Sequence, residues 1–174
     1  MKKSRQRVFD FEIDKLTNSI ENTSTGEVFS TEITRLILKD IRQIKKVDWQ
    51  FDWVNEIKDS SKEVYKLTTQ TNPTIIQGLL SIEDKQDHIF MHLVESAKFN
   101  KSKSKIYFGV PGNLVAFACK VSVEKGYQGF VAFDAKTVLI KHYKETLYAT
   151  HFRGLRMFIE INAALRLISQ YFPQ

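Results

Sequence analysis

Apolar residues recur at Leu114, Phe117, Ala118 and Val121, a three-and-four spacing that predicts a helix with one buried stripe beyond Gly112, stopped by Gly126. Phe130, Val131, Ala132 and Phe133 follow as an unbroken apolar run, the pattern of a strand covered on both faces. Thr137–Glu145 reads as another helix, and Leu147–Phe152 and Arg156–Ile161 read as strands joined across Arg153-Gly154. Asn162 is placed to cap a closing helix through Phe172.

Upstream, Val8–Ile20 and Glu27–Leu38 mix apolar and polar positions around Glu21-Asn22-Thr23-Ser24-Thr25-Gly26, a cluster of turn formers, and predict a β-hairpin. Ile41 and Ile44 give at most a short helical turn between Lys39 and Lys46. Trp49, Phe51 and Trp53 then alternate, and the tryptophans read as cover for a core edge. Glu63–Gln70, Thr74–Ile82 and His88–Glu95 are strand-like runs with short polar separators, which predicts an antiparallel meander. Lys98–Lys105 lacks apolar periodicity and reads as a surface loop.

The chain has 174 residues, 43% of them apolar, with thirteen phenylalanines, enough for a single domain over residues 1–174. Its net charge of +6 favours anionic partners: nucleic acid, an anionic lipid surface or the phosphates of a cofactor. The single cysteine, Cys119, excludes an intramolecular disulfide and a cysteine-based structural zinc site, and reads as a packed thiol. No apolar run has the length of a signal peptide or a bilayer span, so a cytoplasmic location without a membrane partner is expected.

The turn Gly109-Val110-Pro111-Gly112-Asn113-Leu114 is the best candidate site. Glycine lets backbone N–H groups approach an anion, and a helix N-terminus offers unpaired donors to phosphate. Lys101, Lys103 and Lys105 lie just upstream, where they could add charge-assisted contacts. The order is antiparallel strand, turn, helix, strand and helix. It is neither the βαβ unit of a dinucleotide fold nor a Walker pattern, and it points to coenzyme A. An ordinary loop that starts a helix with glycines is the alternative.

The strand Ile89-Phe90-Met91-His92-Leu93-Val94-Glu95, the turn from Gly109 to Ala116, the strand Gly129–Phe133 and the segment Leu139-Ile140-Lys141-His142-Tyr143-Lys144-Glu145 together resemble the GCN5-related N-acetyltransferase superfamily. The resemblance covers about Thr74 to Ile161, and the first half shares only the run of antiparallel strands. Within the superfamily the chain is similar to small acetyltransferase-like proteins of Bacteroidetes, partly through Asp14-Lys15-Leu16-Thr17-Asn18-Ser19-Ile20-Glu21-Asn22.

The resemblance implies an α+β (mixed α/β) fold: a central mixed, mostly antiparallel, splayed sheet flanked by helices. The N-terminal hairpin would span about 8–38 and the CoA-binding core about 74–161. The strand ending at Glu95 would splay from the parallel strand at Gly129–Phe133, with the acetyl-CoA thioester in the split. Backbone groups of Leu93, Val94, Glu95, Ser96 and Ala97 would meet the pantetheine arm. The turn beginning at Gly109 would receive the pyrophosphate on the N–H groups of Val110, Gly112, Asn113 and Leu114.

Tyr143 matches the tyrosine that can protonate the departing thiolate, unless it only packs beneath the cofactor. Glu95 is the candidate base, because alternation with Ile89, Met91 and Leu93 places it on an apolar face where desolvation could raise its pKa. A structural salt bridge is the alternative. His92 and His142 are further candidates, or structural residues. Three positions depart from the family: Ile106 replaces Gln or Arg, Pro111 stands at a small position, and Lys136 replaces asparagine, where it could reach a CoA phosphate.

The expected activity is direct transfer of an acetyl group from acetyl-CoA to an amine acceptor in a ternary complex, with no metal. The sequence selects no particular amine; specificity is expected in the N-terminal hairpin and Trp49-Gln50-Phe51-Asp52-Trp53. The alternative is a non-catalytic module on the same fold, binding CoA or an anionic macromolecule. No helix-turn-helix, zinc-finger or RNP pattern supports nucleic acid as a partner. An exposed edge strand would allow a homodimer by strand pairing.

Overall fold

The computed structural model describes residues 7–16 and 19–173. A seven-stranded sheet combines β3 (Thr31–Leu36), β4 (Lys62–Thr69), β5 (Gly78–Asp84), β6 (Ile89–Ser96), β8 (Val131–Asp134), β9 (Thr150–Arg153) and β10 (Arg156–Ile159) in the order β3-β4-β5-β6-β8-β10-β9. Only β6 and β8 are parallel; the other neighbours in this sheet are antiparallel. A small second sheet joins β1 (Ile20–Asn22), β2 (Val28–Phe29) and β7 (Tyr107–Phe108) in the order β2-β1-β7. The helices are α1 (Trp53–Lys58), α2 (Val110–Glu124), α3 (Ile140–Thr146) and α4 (Ile161–Tyr171). The class is the α+β one expected, a mostly antiparallel sheet flanked by helices.

Alternation along β4, β5 and β6 sends buried side chains to both faces of the sheet. Leu67, Leu80, Ile82, Ile89, Met91 and Val94 join the larger core with α2 and α4, while Val64, Leu79 and Leu93 pack with Trp53 of α1 in a smaller one. Each fully buried aliphatic side chain contributes about 1.5–3 kcal/mol relative to exposure. Gly78 permits the close approach of α2, since a Cβ there would stand 2.7 Å from Val110 Cγ1.

The local pattern misled in four places. The hairpin expected over 8–38 is confined to β1 and β2, and residues 8–16 take no part in it. Trp53 starts a helix rather than ending an alternating run, because Asp52 caps it by accepting from Asn55 N–H at 3.1 Å. Helix α2 begins at Val110, ahead of Gly112, with Pro111 in its first turn, where a missing N–H costs no intrahelical bond. Asn162 lies inside α4, whose N-cap is Glu160.

Candidate functional site

The parallel pairing of β6 with β8 consists of two residue pairs, Ile89 with Val131 and Phe90 with Ala132, after which the strands part. The cause lies on the other edge of β6. Leu93 faces Ser81 and Met91 faces Ile82, so His92 is an extra residue in a bulge that bends the strand. Beyond the divergence lies a cleft of about 420 Å³. Val94, Glu95 and Ser96 of β6 line it, opposite Asp10, Phe11, Glu12 and Asp14, with Lys101, Lys105 and Pro111 also in its lining.

The segment Val8–Leu16 therefore sits in the split. Phe9 forms a parallel bridge with Ala135: its N–H donates to Asp134 O at 2.7 Å and its carbonyl accepts from Lys136 N–H at 2.9 Å. It takes the edge of β8 that β6 leaves. Phe9, Phe11 and Ile13 turn to the core, with the Phe9 ring stacked 4.9 Å from Phe133, and the alternate carboxylates of Asp10, Glu12 and Asp14 line the cleft. This strict alternation was visible in the sequence, yet neither Phe11 nor Asp14 was picked out as a site residue.

Tyr143, on α3, is fully buried and donates its hydroxyl to the carbonyl of Phe11. Its ring makes edge contacts with Phe9, Phe11 and Phe133. Burial, with a smaller push from the Asp10 charge, raises its pKa far above the ordinary tyrosine value, so the hydroxyl keeps its proton. The neighbouring His142 accepts from Ile13 N–H at 2.8 Å through Nε2, so in this arrangement that nitrogen is unprotonated.

Glu95 is buried at the cleft wall. Its carboxylate accepts from Gln50 N–H (2.8 Å), Phe51 N–H (3.2 Å), Trp53 Nε1 (2.8 Å) and Lys101 Nζ (2.6 Å). It ties the 50–53 segment to β6. As a base it would have to accept a proton while these donors already claim its lone pairs. Of the other β6 candidates, Val94 and Ser96 line the cleft, Leu93 belongs to the α1-side core, and the Ala97 N–H donates to Gln77 O at 2.9 Å instead of facing the split.

At the start of α2, Gly109 has φ 92°, a conformation glycine adopts without strain. Its N–H donates to Asp14 Oδ1 at 3.1 Å, and Lys105 Nζ donates to Asp14 Oδ2 at 3.0 Å. An anion already rests where a phosphate was expected. Gly112 meets side chains rather than open space: a Cβ there would lie 2.2 Å from Tyr171 Oη and 3.2 Å from Leu16 Cδ2. Asn113 N–H donates to Gly109 O, and its buried amide donates to Thr31 Oγ1 at 3.1 Å. Val110 and Leu114 are fully buried against β5. Ile106 is exposed, and Lys136 is exposed beside Phe9. Cys119 is buried, which pushes its thiol pKa up and fits a packed side chain.

No group of three or more His, Cys, Asp or Glu side chains is arranged to hold a metal among the described residues. Among them, too, no helix is long and apolar enough to cross a membrane.

Among solved structures, a bacterial toxin superposes with a TM-score of 0.58 at 10% identity, over 84% of this chain and 99% of its own. A spermidine N-acetyltransferase chimera from Vibrio cholerae superposes with a TM-score of 0.50 at 12% identity, over 78% of this chain and 98% of its own. The chain shares with both a fold in which a mostly antiparallel sheet is flanked by helices. No protein-family model matches the chain, and no curated protein matches its sequence.

Proposed function

We propose that this protein is an N-acetyltransferase that takes its acyl group from acetyl-CoA and passes it to an amine in a ternary complex. The supporting observation is the split between β6 and β8, which opens a cleft floored by Val94–Ser96 and reaching Pro111 at the start of α2. Its volume of about 420 Å³ lies within the usual range for small-molecule sites. The residues fit the cofactor in one further respect: Gly109 N–H and Lys105 already hold a carboxylate, so this corner accepts an anion.

Acetyl-CoA would supply the activated acyl group, whose C–S bond breaks as the C–N bond to the amine forms. Val94 and Ser96 would orient the pantetheine arm along β6. Gly109 and Val110, with Lys101, Lys103, Lys105 and Lys136, would receive the phosphates. Tyr143 would donate a hydrogen bond to the leaving sulfur. With an ordinary value of about 10, a tyrosine is a weaker acid than a thiol at about 8.5, so it would stabilise the thiolate by hydrogen bonding rather than by full proton transfer. Glu95 would take the amine's proton only if Lys101 and the main-chain donors released it; otherwise it anchors the acceptor-side segment 50–53.

One observation favours the second reading, a non-catalytic module: the Tyr143 hydroxyl is already bonded to Phe11. Thiol release from acetyl-CoA, followed with a panel of amines, separates the two. Amine-dependent release that falls in Tyr143→Phe supports transfer; binding of acetyl-CoA without release by any amine leaves the module.

A further inference from the structure

Resting on that reading, we infer that Val8–Leu16 is a strap that stands in the cofactor's path and is displaced when acetyl-CoA binds. Two groups the cofactor would use are held by this segment, which is itself tied by Phe9 to the edge of β8 at Asp134 and Lys136. The Tyr143 hydroxyl, assigned to the leaving sulfur, is bonded to the Phe11 carbonyl. The anion corner at Gly109 and Lys105 is filled by the carboxylate of Asp14.

On that reading the Phe11 carbonyl would occupy the thioester end of the cleft, and the Asp14 carboxylate would occupy the phosphate end. Leu16 completes the cover by packing over Gly112.

The attachment is made of separate contacts, among them Ile13 N–H to His142 Nε2 and Gln170 Nε2 to Leu16 O, each 2.8 Å. Within Val8–Leu16 the single described bridge is Phe9 with Ala135, and no strand ladder extends it. Phe9 and Ile13 hold the closed state by burial, while Asp10 and Glu12 are exposed on the cleft side. An occupied groove lowers apparent cofactor affinity by the fraction of molecules that are open, so anything that loosens the strap tightens acetyl-CoA binding.

The test uses the full chain. Acetyl-CoA is titrated calorimetrically into wild type, Asp14→Ala and the nearly isosteric Asp14→Asn, and amide hydrogen exchange is followed at Phe9, Ile13 and Lys136 with and without saturating acetyl-CoA. Weakening the two charge-assisted contacts of the Asp14 carboxylate is expected to tighten binding about tenfold. Removing a negative charge near the phosphates would also tighten binding, so the exchange data decide. The expected result is that these three amides lose protection in wild type as the site fills. Saturation of wild type with protection unchanged overturns the strap while leaving the acyl-CoA reading intact. No binding by wild type or either variant removes the acyl-CoA reading, and the strap with it.

Discussion

The hydroxyl of Tyr143 donates to the main-chain carbonyl of Phe11, 132 positions earlier in the chain, and so joins the α3 tyrosine to the segment filling the split. Tyr143→Phe keeps the ring contacts but leaves that carbonyl without its donor. Stability should fall by about 1 kcal/mol, the usual net value of one neutral hydrogen bond, read from urea unfolding. Acetyl transfer should fall on the order of a hundredfold if the hydroxyl assists the leaving sulfur. Transfer that tracks the wild type would reduce Tyr143 to packing.

Glu95 receives four donors while almost fully buried, so its replacement exposes a conflict between donors. Glu95→Gln turns an NH₂ toward groups that are themselves donors and leaves Lys101 without its carboxylate. A loss of about 2 kcal/mol is expected, discounted from a fully buried ion pair because Lys101 is partly exposed. Rates distinguish anchor from base. A base loses transfer well beyond the stability effect, with a changed pH–rate profile, whereas an anchor shifts mainly the acceptor KM.

Gly112 looks in the sequence like part of a phosphate turn, but its space is taken by Tyr171 of α4. Gly112→Ala places a methyl 2.2 Å from the Tyr171 hydroxyl oxygen and should cost about 1–3 kcal/mol. Tyr171→Phe removes that oxygen, although its ring carbon at 2.9 Å still crowds the site, so rescue should be partial. A double-mutant cycle on urea midpoints measures the coupling. Additive effects would mean that the helices separate instead.

The elements that were legible from the sequence are those whose pattern is local. β4, β5, β6 and β8 follow from apolar runs of strand length, and α2 from its three-and-four spacing. The strap was not legible, because alternation from Phe9 to Asp14 says that the chain is extended but not which edge it joins. That edge exists only because β6 bulges at His92 and leaves β8. The site divides in the same way. Gly109 and Tyr143 could be picked out one residue at a time, whereas Asp14 at Gly109 and Tyr171 over Gly112 depend on contacts between the two ends of the chain and its middle.

The bulge also sets a pH response. His92 Nε2 lies 2.9 Å from Glu83 Oε1, yet burial outweighs that partner and lowers its pKa below the ordinary 6.5. The folded protein thus keeps His92 neutral at a pH where the unfolded chain protonates it. The unfolded state binds the extra proton, so stability falls as pH drops from about 6.5 toward the lower folded value. Glu83 and Asp84 act in a second window. Hydrogen bonds from Lys85 and His92 lower the first, and those from Gln86 N–H and Tyr127 lower the second. Their contribution is complete above the ordinary carboxylate values of 4.5 and 3.8 and is lost as pH falls through the depressed ones. Urea midpoints at about pH 7.5, 5.5 and 4 for wild type and His92→Gln resolve the two windows. The fall between the first two should be smaller in the variant, and the fall from the second to the third should persist in both. An identical fall between pH 7.5 and 5.5 would assign that first window to other histidines.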